Sequence, residues 1–217
     1  MRRSLALIFA FTVLLAGSAF AQSTDLVSVV TTGTPQEVQA AIESGANINF
    51  RQPDTGITPL IAAAKYNQAA IPLLLKARAD TSAHDTQYGA TVLMWATVYA
   101  DGPKVITMLL AAGADIKDRD GGGGTALMWA AETNPNPEIV RALLAAGAEV
   151  NSRDNNGQTP LIHAAKGNSA GVVGLLMQAG SDPKVKDALG NTALTFAKYN
   201  AKLEGTSVLK GLEEASR

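Results

Sequence analysis

Five threonine-led triplets recur along the chain: Thr58-Pro59-Leu60, Thr91-Val92-Leu93, Thr125-Ala126-Leu127, Thr159-Pro160-Leu161 and Thr192-Ala193-Leu194. The steps between them are 33, 34, 34 and 33 residues. A second series runs in phase with the first: Gly45-Ala46-Asn47, Arg78-Ala79-Asp80, Gly113-Ala114-Asp115, Gly147-Ala148-Glu149 and Gly180-Ser181-Asp182. A third, Asp54, Asp85, Asp120, Asp154 and Asp187, places one aspartate four to six residues before each threonine. Three series in register restrict the chain to a repeat architecture, in which one supersecondary unit is stacked on copies of itself.

The unit can be built from its residues. Each threonine is placed to cap a helix, and in two copies proline follows at the first helical position. That helix is small-sided (Ala62-Ala63-Ala64, Ala130-Ala131, Ala164-Ala165), so neighbours can approach closely. A second helix follows, carrying Leu73-Leu74-Leu75, Met108-Leu109-Leu110, Leu143-Leu144 or Leu175-Leu176. Pro35, Pro103 and Pro137 fall near the starts of second helices, where a missing N–H costs nothing. Pro72 falls deeper and is predicted to shorten its helix. Glycines 45, 113, 147 and 180 supply a left-handed cap, and Arg78 stands in that place in one copy. The polar links, such as Arg153-Asp154-Asn155-Asn156-Gly157, are predicted to project as hairpins. No unit buries its own apolar face. Stacking does so, and stability becomes a sum of unit and neighbour terms.

This unit resembles the ankyrin repeat, about 33 residues long with a T-P-L-H-x-A signature. The best copies are Asp154-Asn155-Asn156-Gly157-Gln158-Thr159-Pro160-Leu161 and Gly113-Ala114-Asp115, and the likeness spans about Asp25 to Ala215. It implies an all-α fold, an ankyrin-repeat solenoid of stacked helix-turn-helix units joined by β-hairpin-like loops. On this reading residues 22–217 are one repeat domain. A partial N-terminal cap (24–51) precedes repeats at about 54–84, 85–119, 120–153 and 154–186, and a C-terminal cap repeat follows at 187–217. Asp25–Thr32 and Pro35–Ser44 are expected to be the two helices of the first cap, and Thr206–Ala215 the closing helix. The chain departs from the family where histidine usually follows the triplet leucine: Ile61, Met94, Met128, Ile162 and Thr195 stand there. That departure bears on which side chains brace the hairpins.

The N-terminus carries an address. Met1-Arg2-Arg3 is basic, Leu5 to Leu15 is apolar apart from Thr12, and Ala19-Phe20-Ala21 is a small-x-small site. This is the layout of a secretory signal peptide. Its apolar core is about half the roughly 20 residues a spanning helix needs. Cleavage is predicted after Ala21, leaving Gln22 first and taking the net charge from −1 to −3. The expectation is an exported protein, periplasmic or secreted, a monomer without membrane insertion after cleavage. The balance of 18 Lys plus Arg against 19 Asp plus Glu argues against a general nucleic-acid binder. The absence of cysteine excludes disulfides, thiolate zinc sites and cysteine nucleophiles.

Catalytic signatures are sparse. The two histidines, His84 and His163, are far apart in the repeat order, so no metal at helical spacing and no cofactor is expected. His163 shares a helix column with Ala62, Trp95, Trp129 and Phe196 and is expected to be partly buried with its polar atoms satisfied; Trp95 and Trp129 are expected in the core. Gly121-Gly122-Gly123-Gly124 lacks the lysine and spacing of a phosphate loop and is expected to be a flexible hairpin tip. The chain is therefore expected not to be an enzyme, although a small hydrolase using His163 and a nearby carboxylate is a formal alternative.

Recognition of another protein remains. The resemblance implies a concave face of hairpin tips and first-helix ends. Tyr66, Tyr88, Tyr99 and Tyr199 fall in or beside its columns, and tyrosine gives large contact area at small entropy cost. Whether they serve as contacts or pack between repeats stays open. Arg51, His84, Arg119, Arg153 and Lys186 form one column before the aspartates, either a basic ridge or a row paired with neighbouring aspartates. The partner is expected in the periplasm; a secreted effector or envelope factor acting on a foreign or host protein is the alternative.

Overall fold

The computed structural model describes residues 25–217. The signal-peptide expectation falls on residues outside them. The described residues form twelve α-helices, one 3₁₀ turn and no strand. They divide into two compact units. The first comprises Ile57–Asp80 with the chain up to Pro53, and the second comprises Asp54–Gly56 with Thr81–Arg217.

In the first unit α1 (Leu26–Thr32) and α2 (Pro35–Glu43) form a hairpin, followed by α3 (Pro59–Tyr66) and α4 (Ile71–Lys76). Thr34 caps α2 with a reciprocal box: its hydroxyl accepts the Glu37 N–H while the Glu37 carboxylate accepts the Thr34 N–H. That bond to the Thr34 backbone also holds the Glu37 carboxyl below its ordinary value. Thr58 caps α3 through the Ile61 N–H at 3.2 Å. The second helix is short, as Pro72 predicts: six residues, preceded by a 3₁₀ turn at Gln68–Ala70. Helix α1 packs on α3, which is buried from Pro59 through Ala64. Arg78 closes α4 at φ +63°, the left-handed conformation that glycine takes at φ +89° to +97° in Gly45, Gly113, Gly147 and Gly180.

In the second unit the first helices are α5 (Val92–Tyr99), α7 (Ala126–Thr133), α9 (Pro160–Gly167) and α11 (Ala193–Ala197). The second helices are α6 (Pro103–Ala111), α8 (Pro137–Ala145), α10 (Ala170–Gln178) and α12 (Ser207–Ala215). First helices pack in one row and second helices in another. Thr91, Thr125 and Thr159 accept the N–H three residues on, as their positions predict. The first helices α5, α7 and α9 are buried along most of their length, whereas α11 buries only Ala193 and Ala197. The second helices bury one stripe each: Ile106 and Leu109; Ile139, Val140 and Leu143; Val172, Val173 and Leu176. Truncating one of these side chains to alanine costs about 2–5 kcal/mol.

An asparagine seam closes the first-helix ends. In the first unit Asn67 Nδ2 donates to the carbonyls of Val30 and Gly33. In the second, Asn134 reaches Thr97 and Ala100, Asn168 reaches Ala131 and Asn134, and Asn200 reaches Ala165 and Asn168, all between 2.7 and 3.2 Å. These carbonyls lie at helix ends, where the intrahelical ladder leaves them without partners.

Candidate partner-binding surface

The aspartate series builds the tips of the second unit. Each carboxylate divides its two oxygens between two tasks. Oδ1 gathers backbone N–H groups of its own loop: Tyr88 on Asp85 (2.7 Å), Gly122 and Gly124 on Asp120 (2.8 and 2.7 Å), Asn156 and Gln158 on Asp154 (2.9 and 2.8 Å), Leu189 and Asn191 on Asp187 (2.9 and 2.8 Å). In Asp85, Asp120 and Asp154, Oδ2 turns to the first helix. It accepts Trp95 Nε1 on Asp85 and Trp129 Nε1 on Asp120, both at 2.6 Å, and pairs with His163 Nε2 at 3.0 Å on Asp154. The tryptophan–histidine column and the aspartate column therefore form one clamp between loop and helix.

The tips also bond to one another. Thr86 donates to the Thr55 carbonyl, Gly121 to Tyr88, Asn155 to Gly122 and Ala188 to Asn156, at 2.8–2.9 Å. This corrects the expectation of a flexible glycine tip at 121–124. Gly121, Gly122 and Gly124 each donate a backbone hydrogen bond, and a Cβ on Gly123 would come within 2.6 Å of Asn155 Oδ1. Glycine is required there by close approach and by a φ of +78°.

Two residues of the basic column take up backbone carbonyls. Arg119 and Arg153 stay exposed, but their guanidinium groups donate to carbonyls rather than to aspartates. Arg119 Nη1 bonds Gly123 and Arg153 oxygens at 2.7 and 2.8 Å, and Arg153 Nη2 bonds the Lys186 oxygen at 2.7 Å. They bridge successive tips. His84 is half-buried and its backbone forms an antiparallel bridge with Thr91. Lys186 is exposed in the second unit, and Arg51 is exposed in the first.

All four tyrosines are exposed: Tyr66 57%, Tyr88 48%, Tyr99 46% and Tyr199 90%. The structure brings two of them together. Tyr88, on the tip, meets Trp95 and Trp129 edge-to-face with centroids 5.7 and 6.0 Å away. Tyr99, at the end of α5, stacks on Trp95 at 6.1 Å, and the two indoles cross at 5.1 Å. Trp95 is buried, in keeping with the core expectation, whereas Trp129 is only half-buried. The result is a four-ring patch spanning a tip and two first helices. Edge-to-face pairs of this kind are worth about 0.5–1.5 kcal/mol beyond their burial. Tyr66 ends α3 in the other unit, with Lys65 Nζ 5.6 Å from its ring centroid. Tyr199 makes no ring contact among the described residues and follows α11 in a turn.

His163 adds an electrostatic contact beside this patch. Its Nδ1 lies 3.0 Å from Glu132 Oε2 on α7, while Nε2 faces Asp154. The hydrogen bond from His163 holds the Glu132 carboxyl below its ordinary value, against the opposing pull of partial burial. Both ring nitrogens of His163 are thus taken up by carboxylates. Among the described residues no three His, Asp or Glu side chains are grouped as a metal ion requires, and no helix is long and apolar enough to cross a membrane.

The sequence profile described as "Ankyrin repeats (3 copies)" matches residues 26–120, 101–187 and 127–213. The chain belongs to the ankyrin repeat family. A similar chain occurs in the solved complex of a predatory endopeptidase from Bdellovibrio bacteriovorus with an immunity protein. The two are 26% identical with a TM-score of 0.74, over 88% of this chain and 98% of that one. No curated protein sequence matches this ankyrin chain.

Proposed function

We propose that this ankyrin protein is an exported, non-enzymatic scaffold that holds a partner protein against its tips and first-helix ends. The observation that carries this reading is the Tyr88–Trp95–Trp129–Tyr99 patch. The exposed Tyr88 and Tyr99 and the half-buried Trp129 rest on the buried Trp95, and the aspartate clamps fix the two indoles, so contact area is presented in a fixed geometry and little entropy is lost on binding. Arg119 and Arg153 hold the tips beside it in place, His84 and Lys186 belong to the same unit, and Arg51 is an exposed cation of the other unit. Tyr66 and Tyr199 are further exposed contacts. Likeness to a chain from an endopeptidase–immunity protein complex supports a partner that is itself an enzyme. The leader at residues 1–21 supports export to the periplasm, with the mature chain starting at Gln22 as a monomer.

Two measurements test the reading. Intact-mass analysis of the periplasmic fraction should give a chain starting at Gln22; full-length protein in the cytoplasm removes the export claim. Affinity capture from cell envelope, with wild type and a Tyr88→Ala/Tyr99→Ala variant of unchanged circular dichroism, should give a partner that the variant loses. Equal capture by the variant sinks the assignment to this patch.

A further inference from the structure

A repeat-to-repeat rule governs what lies over the ring column in the second unit. Counting from the capping threonine, Trp95, Trp129, His163 and Phe196 hold the fourth position after it, and Val98, Glu132, Lys166 and Tyr199 the seventh. At two steps the seventh-position side chain of one repeat reaches the fourth-position ring of the next. Glu132 Oε2 lies 3.0 Å from His163 Nδ1, and Lys166 Nζ lies over the Phe196 ring, 5.6 Å from its centroid. Each ring meets a group suited to it: a carboxylate on an imidazole nitrogen, an ammonium on the electron-rich face of a phenyl ring.

At the step between α5 and α7 the seventh position is Val98 and the fourth-position ring of the next repeat is Trp129. An isopropyl group brings no charge to the indole, although tryptophan offers the best cation-binding face of the aromatic side chains. The surroundings favour a positive charge. Asp85 and Asp120 accept the two indole N–H groups at 2.6 Å, and Glu132 stands one turn further along α7. Tyr88 and Tyr99, each about half exposed, add two further rings at the solvent edge.

We propose that the exposed part of the Trp129 ring, beside Tyr88, receives an arginine or lysine side chain of the partner protein, in the place that Lys166 occupies over Phe196. Arginine suits it better than lysine, because a planar, weakly hydrated guanidinium stacks on aromatic faces. The proposal rests on the protein-binding reading and adds the chemistry of the anchor.

Trp95 and Trp129 are the only tryptophans, so their two indole N–H signals in a nitrogen-edited NMR spectrum report on the site. The protein is titrated with acetyl-Gly-Arg-Gly-amide and with the citrulline peptide, which keeps the shape and lacks the charge. The expected result is a saturable movement of the Trp129 signal, with the citrulline peptide about two- to fivefold weaker. Val98→Lys supplies an internal ammonium at the seventh position and should abolish the arginine response. Equal response to both peptides, no response to either, or an arginine response that survives in folded Val98→Lys overturns the proposal. The wild-type peptide comparison decides the matter even where Val98→Lys does not fold. If the tyrosine variant loses a captured partner while the two peptides titrate alike, the scaffold reading stands and the cationic anchor falls.

Discussion

Asp120 and Asp187 occupy the same point of their repeats and pin their tips alike, each drawing two backbone N–H groups onto Oδ1. Their second oxygens part company. Asp120 Oδ2 takes the Trp129 indole at 2.6 Å, whereas Asp187, with Phe196 in the ring column, takes side-chain amides of Gln158 and Asn191 at 3.3 and 3.5 Å. Burial pushes the Asp187 carboxyl upward, but the hydrogen bonds from Asn191, Gln158 and Leu189 outweigh it and leave the group below the usual aspartate range. The tip pin is thus common architecture, while the tie to the helix is replaceable. Where the tie is an indole, the ring itself is bound to the tip; where it is an amide, the tip is held without the ring.

The comparison breaks most sharply at Asp120→Ala. Losing two backbone bonds and the indole bond should cost about 3 kcal/mol in urea unfolding, since bonds to a charged acceptor are worth roughly 1.5–3 kcal/mol each and are not additive. A loss no larger than that of an exposed-site control contradicts the clamp. Trp129→Phe copies the C-terminal arrangement without its amides and should cost about 1–2 kcal/mol by leaving Asp120 Oδ2 without the indole; a neutral outcome means that water replaces the tie without penalty.

His163 is the intermediate case, a titratable ring in the same clamp. Glu132 has a depressed folded-state pKa, so its contribution is complete above the unfolded value of about 4.3 and lost as pH falls through the lower folded one. Half of its side chain is exposed, so screening keeps the effect under about 1 kcal/mol. The melting-temperature gap between wild type and Glu132→Gln should be present near neutrality and closed by about pH 3; a gap that widens in acid has the wrong sign. The smallest expected effect is that of Phe196→Trp, which offers Asp187 an indole it already replaces with amides. A slight rise in melting temperature is expected, and a clear fall shows that the amides have closed the position.

Much of this was legible because the signals are local. Thr91, Thr125 and Thr159 cap their helices within three residues, Pro72 shortens α4, and Arg78 takes the glycine conformation its column demands. The aspartate–ring clamp spans nine or ten residues and needed two columns to be read together. The asparagine seam was visible as Asn134 and Asn168, 34 residues apart, but its acceptors lie 34 to 38 residues away, and only superposing successive repeats brings them together. The glycine tip was misjudged because composition reports conformational freedom and not the neighbouring backbone that removes it.

The tip-to-tip bonds all run one way, each amide reaching back to the carbonyl of the loop before it. A whole repeat spliced between two tips therefore brings both a donor and an acceptor at the right height. A single residue inserted into one tip instead misaligns two rungs at once, so tolerance to insertion here should come in units of an entire motif.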